Sequence, residues 1–328
     1  MAAKTKKIEL KDLVRLIRKS KKILIATHVN PDADGIGTML GLGQALKTLG
    51  KTVTLYMRDP VPRTCQFLPG QSKIVSRLPK TARFDLSFIV DLGEMERVGK
   101  EFVEHPGRGV TISIDHHLRG ARDTDLSFCL PKQAASGEVA YKILKALKVP
   151  LNKSIATCLY TAIATDTGTF RYSNTTRESF LIAADLLQYG VDVWQVALNC
   201  FETSSLAQLK LLERVLSGLT IHKNGKIAWI EIWRRDIAEI GATDSETDGF
   251  ITYPRSLEGV EVAMAFRESS PGEFKVSLRS KKYVDVGLVA ETLGGGGHKK
   301  ASGVTLCGSL EEVREKLLQL IVPLVLER

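Results

Sequence analysis

At 328 residues, 44% of them hydrophobic, the chain can bury a sizeable core as one large domain or two ordinary ones, and two domains are expected. No run of about 18 apolar residues occurs, and the opening stretch MAAKTKKIELKDLVRLIRKSKK is amphipathic and charged without the apolar centre of a signal peptide. Both observations argue against membrane insertion and make the cytoplasm the expected location. The net charge of +9 suits a polyanionic partner such as nucleic acid or nucleotide phosphates. The five scattered cysteines (Cys65, Cys129, Cys158, Cys200, Cys307), never spaced as CxxC, exclude a disulfide framework and a thiolate zinc site.

In chain order, the first half alternates apolar runs with helical patterns: KILIATH, a helix GTMLGLGQALKTLG closed by Gly50, then TVTLYM, DLSFIVD and VTISID. Strands apolar on both faces and separated by helices predict an α/β domain with a covered parallel sheet. From about residue 136 the pattern turns helical through SGEVAYKILKALK, NKSIATCLYTAIATDTG and TRESFLIAADLLQYG, and SLAQLKLLERVLSGL reads as a helical connector. After residue 220 come three strand patterns, KIAWIEIW, GVEVAMAFRES and EFKVSLRS, then a helix, a glycine cluster and the last helix LEEVREKLLQLIVPLVL. The expected organisation is an N-terminal parallel-sheet domain over residues 1–190, a helical linker over 191–217, and a smaller mixed α/β domain over 218–328.

Ligands of open α/β sheets bind beyond the carboxyl ends of the strands, so polar residues there are functional candidates. ILIATH ends in His28 and leads to Asp32 and Asp34; SFIV ends in Asp91; TISI ends in Asp115, His116 and His117. Asp166 closes a helical run, where an acid opposes the helix dipole. Singly, these residues read as turn and capping residues or as histidines bonded to backbone. Together, so many carboxylates and imidazoles at one sheet edge would repel and desolvate one another without cations, so metal binding is the cheaper explanation. A balanced imidazole and carboxylate set favours Mn²⁺, with Mg²⁺ or another divalent ion as alternatives. Asp32 and Asp34 are too far apart to share one ion, which implies two ions bridged by a carboxylate such as Asp91. Paired ions of this kind activate water and neutralise phosphoryl charge in phosphoester hydrolysis.

In this light HVNPDADGIGT, IVDLGE, IDHH and TDTGTFRYSNTT resemble, in order, the four motifs of the DHH phosphoesterase superfamily, and GGGGHKKASG resembles the signature of the DHH-associated C-terminal domain. The motifs run from residue 28 to residue 303, nearly the whole chain. The branch most similar is the bacterial nanoRNase and 3'-phosphoadenosine 5'-phosphate phosphatase type. The resemblance implies two Mn²⁺ per chain, one held by His28, Asp32 and Asp91, the other by Asp34, Asp91, His116 and Asp166. It implies that Asp115 orients His116 and that His117 faces the scissile phosphate. Gly120 stands where many relatives have Asn. In the second domain, Arg279, Gly295, Gly296, Gly297 and His298 are implied to hold substrate phosphate, with Lys299 and Lys300 adding nonspecific attraction.

The implied substrates are short single-stranded RNA and 3'-phosphoadenosine 5'-phosphate. Cyclic di-AMP or its linear dinucleotide is the alternative within the same chemistry, and a catalytically dead nucleotide-binding regulator is the alternative from another class. The sequence leaves a homodimer open.

Overall fold

The computed structural model describes residues 5–92, 94–117 and 123–326. The chain divides into two compact units, Met1–Thr203 and Ser204–Arg328. In the first unit the elements are β1 (Lys6–Lys7), α1 (Leu10–Lys19), β2 (Lys22–Ala26), α2 (Ala33–Thr48), β3 (Thr52–Tyr56), β4 (Ile74–Val75), β5 (Leu86–Val90), α3 (Lys100–Val103), β6 (Val110–Asp115), β7 (Leu126–Cys129), α4 (Ser136–Leu147), α5 (Lys153–Asp166), α6 (Arg177–Leu187) and α7 (Val193–Phe201). The strands form a parallel sheet in the order β1-β7-β6-β5-β2-β3-β4.

The central strands are buried on both faces because both faces of their sequences are apolar. Ile23 and Ile25 of β2 join a core with residues of α1, α2, α4 and α5, whereas Leu24 and Ala26 point the other way, to Tyr56, Ile89 and Phe102. Helices α2, α4 and α5 close tightly on one another through glycines. A Cβ on Gly37 would stand 2.4 Å from the Cys158 carbonyl oxygen, one on Gly41 2.8 Å from Leu159 Cδ2, and one on Gly137 2.7 Å from Ala162 Cβ.

The second unit holds α8 (Leu206–Ser217), β8 (Thr220–Ile221), β9 (Ile227–Ile232), α9 (Arg234–Ile240), α10 (Thr252–Ser256), β10 (Val262–Ser270), β11 (Glu273–Ser280), α11 (Val286–Thr292), β12 (Gly296–His298), β13 (Ala301–Cys307) and α12 (Leu310–Leu326). Its sheet runs β12-β13-β11-β10-β9-β8, antiparallel except for the β9–β10 pair. The stretch expected as a connector is divided. Helix α7 closes the first unit and α8 opens the second, where Leu211 and Val215 are buried with Ile230, Ile232 and Phe250. The glycine cluster begins in a turn at Gly294 and continues as an edge strand. Gly296, Gly297 and His298 pair with Gly303, Ser302 and Ala301. Among the described residues no helix is long and apolar enough to cross a membrane.

Candidate metal centre

Every sequence-predicted residue of the first unit lies at the carboxyl edge of its sheet. Thr27 donates its hydroxyl to the Val90 carbonyl (3.1 Å), tying the end of β2 to the end of β5. Next to it, the buried His28 ring has Nδ1 2.9 Å from the Val29 carbonyl, which can only accept, so Nδ1 carries the proton and Nε2 the lone pair. Asn30 then takes a left-handed conformation (φ 50°), with its N–H donating to Asp59 Oδ2 at 2.7 Å. Asp32 caps α2 by accepting from the Gly35 N–H (3.0 Å) while its side chain stays 61% exposed. Asp34, in the first turn of α2, is buried. Its Oδ1 accepts from the Gly137 N–H (3.0 Å) and the Thr38 hydroxyl (3.2 Å), and its Oδ2 from the Ser136 N–H (2.7 Å).

Asp91 follows β5 in a left-handed conformation (φ 58°), a geometry that costs a non-glycine residue about 1–3 kcal/mol. Its two oxygens face different partners. Oδ2 lies 3.6 Å from His28 Nε2, and Oδ1 lies 3.5 Å from His116 Nε2 and 3.8 Å from His117 Nδ1. His116 Nε2 is also 3.7 Å from Asp34 Oδ2 and 3.8 Å from Asp166 Oδ2. Asp166 ends α5 and is held by Asn174, whose Nδ2 donates to its carbonyl (3.1 Å) and to its Oδ2 (3.3 Å). Gly168, Thr169 and Phe170 form a left-handed turn just beyond it (φ 56°, 59° and 62°). Asp115 ends β6 and is fully buried. Its Oδ1 accepts from the His116 and His117 backbone N–H groups (2.8 and 3.2 Å) and from His117 Nδ1 (2.6 Å). Gly120 lies outside the described residues.

Burial and charge together show what this cluster lacks. Burial, then the neighbouring Asp91, holds the Asp34 carboxyl well above the ordinary range, and burial pushes Asp166 up to about 7 against the pull of His116. Burial works the same way on Asp91, but His116 and His28 outweigh it and hold that carboxyl well below the ordinary range. The same carboxylates raise His116 well above an ordinary imidazole although burial opposes its charge. The donor atoms of His28, Asp32 and Asp91 form one close set, and those of Asp34, His116 and Asp166 a second. The imidazole-to-carboxylate separations in these sets, 3.5 to 3.9 Å, are too long for hydrogen bonds. Donors around an octahedral ion at about 2.1 Å lie roughly 3 Å (adjacent) to 4.2 Å (opposite) from one another, a range that includes these separations. Oxygen and imidazole donors without thiolate are a set that divalent cations accept.

The second unit's predicted residues lie on neighbouring strands. Arg279, on β11, pairs in register with Ala301 of β13, as His298 does from β12 on the other side. A Cβ on Gly295 would stand 2.3 Å from the Gly303 carbonyl oxygen, and one on Gly297 2.6 Å from Ala301 O, so these two glycines permit close strand contact. Gly296 faces open space. Lys300 donates its ammonium to the Lys282 and Val284 carbonyls (2.6 and 3.2 Å), which engages it in the fold. Sequence reasoning missed Ser136, Gly137, Thr38, Asp59 and Asn174. The SGE stretch at the start of α4 was the one visible signal, and it reads as an ordinary helix start.

The DHH family N-terminal domain matches residues 22–163, and the DHHA1 domain matches residues 225–324. The chain is 36% identical over 303 residues to the bifunctional oligoribonuclease and PAP phosphatase NrnA of Thermus thermophilus, covering 91% of this chain and 89% of that one. It is 26% identical over 298 residues to the Bacillus subtilis protein of the same description, covering 90% and 92%. The crystal structure of an exopolyphosphatase-related protein from Bacteroides fragilis matches with a TM-score of 0.86 at 27% identity, over 96% of each chain. The chain belongs to the DHH family, with a DHHA1 domain following its DHH domain.

Proposed function

We propose that this protein is a manganese-dependent phosphoesterase that hydrolyses short RNA oligonucleotides and 3'-phosphoadenosine 5'-phosphate in the cytoplasm. The observation that carries the reading is the Asp91 carboxylate, whose two oxygens face two separate ligand sets. The names of the similar proteins, oligoribonuclease and PAP phosphatase, support the substrate class. His28, Asp32 and Asp91 hold one ion; Asp34, Asp91, His116 and Asp166 hold the other. When bound, such ions neutralise phosphoryl charge and make water a nucleophile near neutral pH.

The remaining roles belong to the chain's own side chains. Asp115 orients the His117 ring through a 2.6 Å contact and favours its charged form, so that His117 donates a proton to the leaving oxygen. The Arg279 guanidinium binds a substrate phosphate through paired N–H groups, and His298 adds a donor. Gly296, the glycine facing open space, lets the backbone approach that anion, while Gly295 and Gly297 keep the strand in place.

A substrate panel tests the assignment. Protein stripped of metal by a chelator is expected to be inactive, and added Mn²⁺ to restore hydrolysis of RNA dinucleotides and 3'-phosphoadenosine 5'-phosphate. Arg279→Ala is expected to raise KM about tenfold with kcat changed much less. Full activity after chelation would overturn the mechanism. Faster hydrolysis of cyclic di-AMP than of either substrate would transfer the assignment to cyclic dinucleotides.

A further inference from the structure

The first turn of α4 reaches both of the carboxylates on which the two ligand sets depend. The Ser136 and Gly137 N–H groups donate to Asp34 Oδ2 and Oδ1 (2.7 and 3.0 Å), and the Ser136 hydroxyl donates to Asp91 Oδ1 at 3.1 Å. Ser136 is fully buried. Its hydroxyl does not cap the helix, whose N-cap residue is Ala135 and which has no side-chain cap bond. A buried hydroxyl turned away from capping and onto a carboxylate is an orienting contact.

Asp91 has need of one. Three imidazoles, His28, His116 and His117, surround its carboxylate at 3.5 to 3.8 Å, longer than the 3.1 Å contact from the Ser136 hydroxyl. Contacts this long restrain the carboxylate plane less than a shorter hydrogen bond does. The Ser136 hydroxyl fixes Oδ1 on the side of His116, which leaves Oδ2 to His28.

We propose that Ser136 is a positioning residue that keeps the two oxygens of Asp91 divided between the two ligand sets, an inference that rests on the two-ion reading above. Groups that orient metal ligands typically change metal affinity by about 10- to 100-fold when removed. Because the contact is to Oδ1, the loss falls on the ion held with His116 rather than on the one held with His28.

The test titrates metal-free wild type and Ser136→Ala with Mn²⁺, following binding by calorimetry and the metal by electron paramagnetic resonance. Wild type is expected to bind two ions and give the spectrum of an exchange-coupled pair. Ser136→Ala is expected to keep one affinity within a few-fold, to weaken the other by about tenfold or more, and to show the six-line spectrum of isolated Mn²⁺ at two equivalents. Its melting temperature in chelator is expected to stay within about 2 °C of wild type. Unchanged affinities with a coupled spectrum, equal weakening of both ions, or a large loss of metal-free stability would each overturn the proposal. Should Ser136→Ala not fold, Ser136→Gly also lacks the hydroxyl and is read in the same way. Wild type that binds only one ion would instead overturn the two-ion reading itself.

Discussion

Asp91 and Asp32 stand on opposite sides of a useful contrast. Asp91 is buried and faces both ligand sets, whereas Asp32 is mostly exposed and belongs to one. Asp91→Ala is therefore expected to lower turnover by a factor of about a thousand or more and to abolish paired Mn²⁺ binding. Asp32→Ala is expected to leave one ion per chain, measured as bound metal after gel filtration. The gathering of these polar residues at one sheet edge was legible in the sequence because His28, Asp91 and Asp115 stand at the ends of apolar runs, and an unpaired charge at the end of a buried strand is costly. Ser136 and Asn174 were not legible. Their contacts cross 45 residues to Asp91 and 8 residues to Asp166, and nothing in the local pattern separates an orienting hydroxyl or amide from an ordinary loop or helix-start residue.

Among the elements, α2, α4 and α5 matter most, because each brings part of the centre: Asp34 at the start of α2, Ser136 at the start of α4, and Asp166 at the end of α5. Gly37 lets α2 meet the Cys158 carbonyl of α5 without a Cβ between them. Gly37→Ala is expected to destabilise the protein by about 1–3 kcal/mol in urea unfolding, since backbone rather than a flexible side chain must move aside. It should also lower activity in the protein that remains folded, because α2 and α5 carry ligands of the same set. The long central strands and helices followed from hydrophobic pattern alone. The two-residue strands β1 and β4 and the glycine strand β12 exist only because a neighbouring strand pairs with them, and glycine has low strand propensity of its own. Strand β7 was missed because LSFC is too short to separate from the loop around it.

For the molecule as a whole, acid stability depends in part on contacts far from the metal ligands. The exposed Asp85, just before β5, accepts the backbone N–H groups of Lys22 (2.9 Å) and Lys21 (2.6 Å), which pin the start of β2 and hold its carboxyl below the ordinary range. A carboxyl lowered in the folded state contributes stability that is present above its unfolded value, about 3.9, and is lost as pH falls through the lowered one. Asp85→Asn should therefore melt below wild type at pH 7, and the gap should shrink as pH falls from about 5 to 2, as followed by circular dichroism. The left-handed backbone at Asp91 has a consequence of another kind, in the substitutions that remain open to descent. Glycine and asparagine suit that conformation but bring no carboxylate, and glutamate brings a carboxylate on a side chain one methylene longer and without the same tolerance of that conformation. One position thus passes through two independent filters that aspartate satisfies together, while Asp32, in extended backbone (φ −101°), faces only the need for a carboxylate.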